Sequence, residues 1–392
     1  MASEVKEAKM VESRITEEML QEMRGMIGLK LRIDHSINNE EATRLAILKF
    51  AGGIGDPNPL WSDPGYAGKT RYSGIVAPLS WVVSVFSGVQ FGWRGLAGFH
   101  NASFIEFYRP VMLNDKITPE CVFTGFEGPK PSRFAESMVI DWYENSYRNQ
   151  RNDLVARAKW SVVRVERGKA KEKGKYNAIQ LPHPWKEEEL KKVEEEVLAE
   201  EVRGSNTRFW EDVETNEELK PVVKGPLGLT DEFAFIAGGG APIPRLAAHG
   251  VQLREYRRHP AWAFRDPNTC SLEPIFAVHY NKEAARAMGV PMAYDVGWQR
   301  QCWQIHLLTN WMGDDGWIKK CNAEYRRFVY LSDVVWVKGK VVQKYVDGDG
   351  ECCVDIETSA CNQRGEEVMP GAATLALPSR ERRTHPLDKR LQ

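Results

Sequence analysis

The chain has 392 residues, 42% hydrophobic and 27% charged, which is a globular composition too long for one ordinary core and comfortable for two domains. Its 53 Lys plus Arg nearly balance 54 Asp plus Glu, for a net charge of -1, which argues against a nucleic-acid partner but leaves room for a local basic pocket. There is no apolar run long enough for a membrane span, no basic-then-apolar leader in Met1–Glu7, and no CxxC spacing among the seven cysteines, so a cytoplasmic protein with reduced thiols and no metal site is expected.

In chain order, a flexible tail is expected over 1–14 and a first domain over 15–170. A helix-like stretch near 40–50 runs into the loop Gly55-Asp56-Pro57-Asn58-Pro59. The mixed-apolar segment 77–92 reads as a buried helix, and Val139–Tyr143 and Ala158–Val163 read as strands with one wet face. A charged linker over 171–205 contains 186–197, whose Glu-Lys pairs suit an exposed helix. A second domain is expected over 206–378, with a buried helix over 295–312 and a strand over 334–342, followed by a tail over 379–392. One buried helix followed by several strands, twice over, is an α+β layout.

The two domains read as degenerate copies of each other. Glu106–Asp115 resembles Glu324–Asp333, 218 positions on, and the same offset carries Trp61 onto His279 and Ala67 onto Ala285. Asn149-Gln150-Arg151 recurs as Asn362-Gln363-Arg364, and Phe50-Ala51-Gly52-Gly53 echoes Ile236-Ala237-Gly238-Gly239. The offsets place an insert at about 245–274 in the second copy. Gly238-Gly239-Gly240 lacks the spacing of a phosphate loop and reads as the counterpart of Gly52-Gly53. The repeat-related Arg109 and Arg327 are expected to pair with Glu106 and Glu324.

The loop Gly55–Ala67 resembles the signature loop of MaoC-like, R-specific enoyl-CoA hydratases, in which Gly-Asp-x-Asn-Pro-Leu/Ile-His-x-Asp is followed by Ala and then by a His-Gly pair opening a central helix. The resemblance implies a double hot-dog fold, two tandem copies of a long helix wrapped by an antiparallel sheet. It also implies reversible hydration of an enoyl-CoA to a 3-hydroxyacyl-CoA, with coenzyme A as part of the substrate and no other cofactor. In that chemistry a carboxylate and an imidazole hold the water, and a backbone N–H at the helix start holds the thioester oxygen. A homo-oligomer is left open.

The sequence departs from the pattern in both copies. The first keeps Asp56 and Asn58 but has Trp61 at the His position and Leu79 at the Gly position. The second keeps His279 and, in Val296-Gly297, the glycine, but has Pro274 at the Asp position. The second copy is therefore the better catalytic candidate, with His279 as base or acid, Gly297 as amide donor, and Glu273 or Asp295 as carboxylate. A composite of Asp56 with His279 is the other option, and a purely structural turn is the bland reading of Asp56 and Asn58. The expected substrate contacts are Asn58, Trp61, Tyr280 and Trp298, with Arg254, Arg257 and Arg258 of the insert either clamping coenzyme A phosphates or forming a solvated basic face. His306 and His249 read as structural. The 13 tryptophans suggest an apolar tunnel for a bulky or aromatic acyl group. Alternatives are a catalytically degenerate acyl-CoA-binding protein, a hot-dog thioesterase, or a retro-aldol-type lyase.

Overall fold

The computed structural model describes residues 10–33, 39–85, 88–90, 92–173, 178–240 and 246–392. Most of the expected N-terminal tail, residues 86, 87 and 91 of the expected first helix, and residue 245 of the insert lie outside the described residues.

The first copy opens with helices α1 (Glu17–Gly25), α2 (Arg44–Ile54) and α3 (Pro64–Ala67), followed by strands β1 (Leu96–Phe107), β2 (Thr118–Pro131), β3 (Ser137–Arg148) and β4 (Leu154–Glu166). Helices α4 (Arg167–Lys173) and α5 (Glu187–Leu198) lead to strand β5 (Val222–Lys224) and helix α6 (Leu229–Ala237). The insert forms helix α7 (His249–Arg258) and the short strands β6 (Ala263–Arg265) and β7 (Leu272–Pro274). Helices α8 (Lys282–Ala287) and α9 (Gly297–Met312) and strands β8 (Trp317–Glu324), β9 (Val335–Val346), β10 (Cys352–Asn362) and β11 (Glu367–Leu377) complete the second copy.

Nine strands form one antiparallel sheet in the order β2-β3-β4-β1-β8-β11-β10-β9-β5. Apart from β5, each half of that order repeats the other about the β1–β8 junction, so the duplication read from sequence is a pseudo-twofold axis. The repeated residues sit at equivalent joints. Asp115 accepts the Met112 N–H and a bond from Gln150, and Asp333 accepts the Tyr330 N–H and a bond from Gln363. Helices α2 and α6 cross at their glycines: a Cβ on Gly53 would lie 2.6 Å from the Ala234 carbonyl, and one on Gly238 2.8 Å from that of Lys49. The glycine pairs are thus contacts across the axis and not phosphate binders. Arg109 and Arg327 pair with Asp153 (3.9 Å) and Glu366 (3.0 Å), not with the expected Glu106 and Glu324.

In the second copy the expected buried helix is α9, all of whose residues from Trp298 to Met312 are buried. Two of its glutamines bond to the sheet: Gln304 donates to the Asn322 carbonyl at 2.9 Å and to Thr358 at 2.7 Å, and Gln301 accepts from Ser103. In the first copy the long helix expected over 77–92 is absent among the described residues. A single stretch of 3-10 helix, Leu79–Ser84, follows Pro78. The β-branched run Val82, Val83 and Val85 favours extended backbone. Gly88 and Gly92 then take φ values of +130° and +69°, which no helix accommodates.

Candidate active site

Where the first-copy helix would stand, the protein holds a cavity of about 910 Å³ that reaches across both copies. Its second-copy wall includes Phe276, His279, Tyr294, Gly297 and Trp298, and its first-copy wall includes Val83, Val85, Phe99, His100 and Trp160. The insert closes one side through Gln252, Glu255, Tyr256 and Trp262.

His279 ends the short 3-10 turn Ile275–His279, just before α8, whose N-cap is Asn281. Its Nδ1 lies 2.8 Å from the Tyr294 carbonyl, and its ring meets Tyr294 edge-on at 5.0 Å. A carbonyl can only accept, so Nδ1 carries the proton and Nε2 keeps its lone pair. Burial pushes this imidazole down to about 4, opposed by the Tyr294 and Asp295 backbone, so it is neutral at physiological pH. Gly297 is the first residue of α9, and the helix has no internal partner for its amide. The positive end of the buried helix therefore opens on the cavity that His279 lines.

Neither carboxylate expected beside His279 is free there. Asp295 lines the cavity, but both its oxygens are taken by Arg300, Oδ2 by Nε at 2.7 Å and Oδ1 by Nη2 at 2.8 Å. Glu273 accepts from Ser271 at 2.6 Å and is not part of the lining. Its place on β7, paired with Phe264 of β6, directs it into the insert hairpin. Tyr280 is also off the cavity, packed on Phe233 at 5.5 Å. Trp298 does line it.

The first-copy signature loop lies elsewhere, against the far half of α9. Asp56 is 3.7 Å from His306 Nε2, which pairs with Glu200 at 2.7 Å. Asn58 accepts the Leu60 N–H and donates to Asp314 at 3.1 Å. Trp61 is buried beside a void of about 20 Å³, room for a single water. Asp56, Asn58 and Trp61 thus lie outside the lining of the cavity that holds His279, and the structure does not bring Asp56 and His279 together. Lys224 donates to the Gly55 carbonyl at 2.8 Å and stands 3.9 Å from Glu200, tying loop, linker and helix together.

Arg254, Arg257 and Arg258 are exposed on the outer face of α7, whereas Gln252, Glu255 and Tyr256 face inward. The spacing puts the two sets on different sides of one helix. The three arginines face solvent and are not part of the cavity lining. The cavity's positive charge comes instead from other residues: among the described residues, seven arginines line it against two carboxylates, Glu255 and Asp295. Exposed Arg94 and Arg133, both from the first copy, are among them. The tryptophans of the lining are Trp93, Trp160, Trp262 and Trp298, while Trp61, Trp81, Trp303 and Trp311 pack in the core.

Sequence reasoning also missed His100 and Glu255, which lie outside the family motif. The signal for His100 was faint: a histidine between Phe99 and Asn101 in a β-prone run of the other copy.

No helix among the described residues is long and apolar enough to cross a membrane. No family model matches the chain. Two UPF0336 proteins are similar over short stretches: one from Thermobifida fusca at 47% identity, covering 10% of this chain and 25% of that protein, and one from Streptomyces avermitilis at 30%, covering 20% and 57%. The chain thus spans less than two thirds of the length of these curated relatives. Among solved structures, a MaoC-like dehydratase matches with a TM-score of 0.61 at 13% identity, covering 91% of this chain and 99% of that one. A putative MaoC domain protein dehydratase from Chloroflexus aurantiacus gives 0.54 at 13% identity, over 90% and 96%. RV0216 from Mycobacterium tuberculosis, described as a double hot-dog fold, gives 0.52 at 11% identity, over 90% and 96%. At these identities the likeness establishes the fold, a double hot dog of α+β class.

Proposed function

We propose that the chain is a hydro-lyase that interconverts an enoyl thioester and its 3-hydroxyacyl form, with coenzyme A as carrier and the chemistry at the second-copy end of the cavity. One observation carries this reading: a neutral histidine with its lone-pair nitrogen free faces the same cavity as the open amide of a buried helix. In the hydration direction His279 Nε2 takes a proton from water as the water oxygen bonds to C3. The C2–C3 π electrons move toward the thioester oxygen, where the Gly297 amide and the helix end hold the negative charge. The protonated imidazole then returns its proton to C2, so atoms and charge balance.

Other features support the finer points. The missing first-copy helix leaves room for a bulky or aromatic acyl group against Trp160 and Phe99. The excess of arginine suits a phosphate-bearing carrier. The named dehydratases among the structural neighbours point to the same reaction class.

A second reading, thioester binding without turnover, is favoured by one fact: the carboxylate position is Pro274, and Asp295 is committed to Arg300. A panel of short, long and aromatic enoyl-CoA thioesters, followed by loss of the conjugated absorbance, separates the two. Turnover that disappears in His279→Ala supports the hydro-lyase, and tight binding with no turnover on any member supports the binding protein.

A further inference from the structure

The cavity contains a second histidine, and the other copy supplies it. We infer that His100 is a hydrogen-bond donor at the reacting centre, holding the thioester oxygen together with the Gly297 amide, so that each copy contributes one of the two groups. This rests on the hydro-lyase reading above and deepens it.

Three separate features of the fold bring His100 there. First, β1 pairs with β4 in regular register up to His100 opposite Val162, and pairing resumes with Ala102 opposite Ser161. The extra residue, Asn101, is a bulge, a device that re-aims side chains. Gly98, Phe99, His100 and Asn101 all line the cavity, whereas a regular strand would turn alternate side chains away. Second, the ring is locked in place, stacked on Tyr325 at 4.3 Å and edge-on to Trp298 at 4.7 Å. Third, it lies against the helix start: a Cβ on Gly297 would be 2.7 Å from His100 Nδ1 and 3.0 Å from Cγ. Residue 297 must be glycine for this ring to sit there.

The ring's hydrogen bonding is also unfinished. Nε2 is buried and has no hydrogen-bond partner. A buried polar atom left without a partner is costly, and a ligand oxygen in the cavity is one way to complete it. Burial and the nearby Arg300 push the imidazole down to about 3, against a small opposing effect from the Ala102 backbone. A neutral imidazole offers one N–H without adding a charge that would compete with the reacting proton. Because the carboxylate of the family pattern is replaced by Pro274, stabilising the oxygen is the step that a second donor can strengthen.

The test uses an aryl-enoyl coenzyme A thioester whose absorption band moves to longer wavelength when its carbonyl accepts hydrogen bonds. The full chain, His100→Phe and His100→Gln are each titrated with it, and kcat and KM are measured alongside. The expected result is a red shift with the unaltered protein, most of it lost in His100→Phe and partly recovered in His100→Gln. In His100→Phe, kcat is expected to fall by ~10²-fold, the usual scale for one oxyanion donor, with KM little changed. A full red shift together with full kcat in His100→Phe overturns the assignment. Absence of any shift with the unaltered protein also overturns it, even if turnover is seen. A shift that His100→Phe loses, seen without turnover, leaves His100 supported and instead refutes the hydro-lyase. Should His100→Phe fail to fold, the ¹⁵N signals of His100 in the unaltered protein decide. They move when the thioester binds, and unmoved signals overturn the inference.

Discussion

The two signature loops, one per copy, have divided what a single family loop would hold together. The first, Gly55–Ala67, keeps the acidic and amide residues and borders a void of about 20 Å³. The second has lost Asp to Pro274 and Asn to Phe276, yet keeps His279, Gly297 and a cavity of about 910 Å³. The residues most recognisable in the motif are those that shape a turn. Asp56 accepts the Asn58 N–H, Asn58 accepts the Leu60 N–H, and Asp63 caps α3. Such bonds stabilise a turn whether or not the loop carries any chemistry.

The sharpest break of this comparison is at His279. His279→Ala is expected to lower turnover by ~10²–10⁴-fold, the usual span of general acid–base catalysis, as read from initial rates on the best thioester. The base must be neutral, and its lowered value extends the neutral range toward acid. Turnover by the unaltered protein should therefore hold from neutral pH downward and fall only as pH drops through about 4. A loss already centred near the free imidazole value would contradict the burial argument.

Next in size is Gly297→Ala. Its methyl group would meet the His100 ring at 2.7 Å, displacing ring or helix start. A misplacement on that scale costs on the order of 10²-fold in kcat. Normal kcat in this variant would mean that the helix end is not at the reacting centre.

At the first loop the effect should appear in stability and leave turnover alone. The Glu200–His306 pair at 2.7 Å fastens the linker to α9, and Glu200→Gln is expected to cost about 1–3 kcal/mol in urea unfolding. His306 and Lys224, joined by the Asn310 bond, hold the Glu200 carboxyl down to about 2 against its burial. Its folded value lies below the unfolded one, so this contribution is present above the ordinary carboxylate range and fades as pH falls toward 2. A large drop in turnover at unchanged stability would give the first loop a catalytic part after all.

The smallest expected effect concerns the arginines. Arg133→Ala, at the exposed part of the lining, should raise KM roughly two- to fivefold, in keeping with a screened surface charge. The triple replacement of Arg254, Arg257 and Arg258 by Ala should leave KM unchanged. The reverse pattern would restore the insert as the phosphate clamp.

What the sequence determined by itself was what short-range chemistry writes locally. The α+β layout, the duplication and a buried helix over 295–312 follow from periodicity and repeated letters, while the double hot dog and the placing of His279 and Gly297 follow from the resemblance of one loop to the family pattern. The first central helix misled because an apolar run such as Trp81–Val85 reads as buried in either conformation, and the outcome turned on Gly88 and Gly92 and on the space around them. Other points were decided by tertiary structure alone. Asp295 reads as a free acid at a helix start until Arg300, one turn along, closes on it. The facing of α7 sends Tyr256 inward and the arginines outward. His100 reaches Gly297, nearly two hundred residues away in sequence, only because β1 and β8 pair at the pseudo-twofold axis and a bulge turns its ring inward. Periodicity reports what each element needs to bury, whereas the partner it meets is settled when the two copies close on one another.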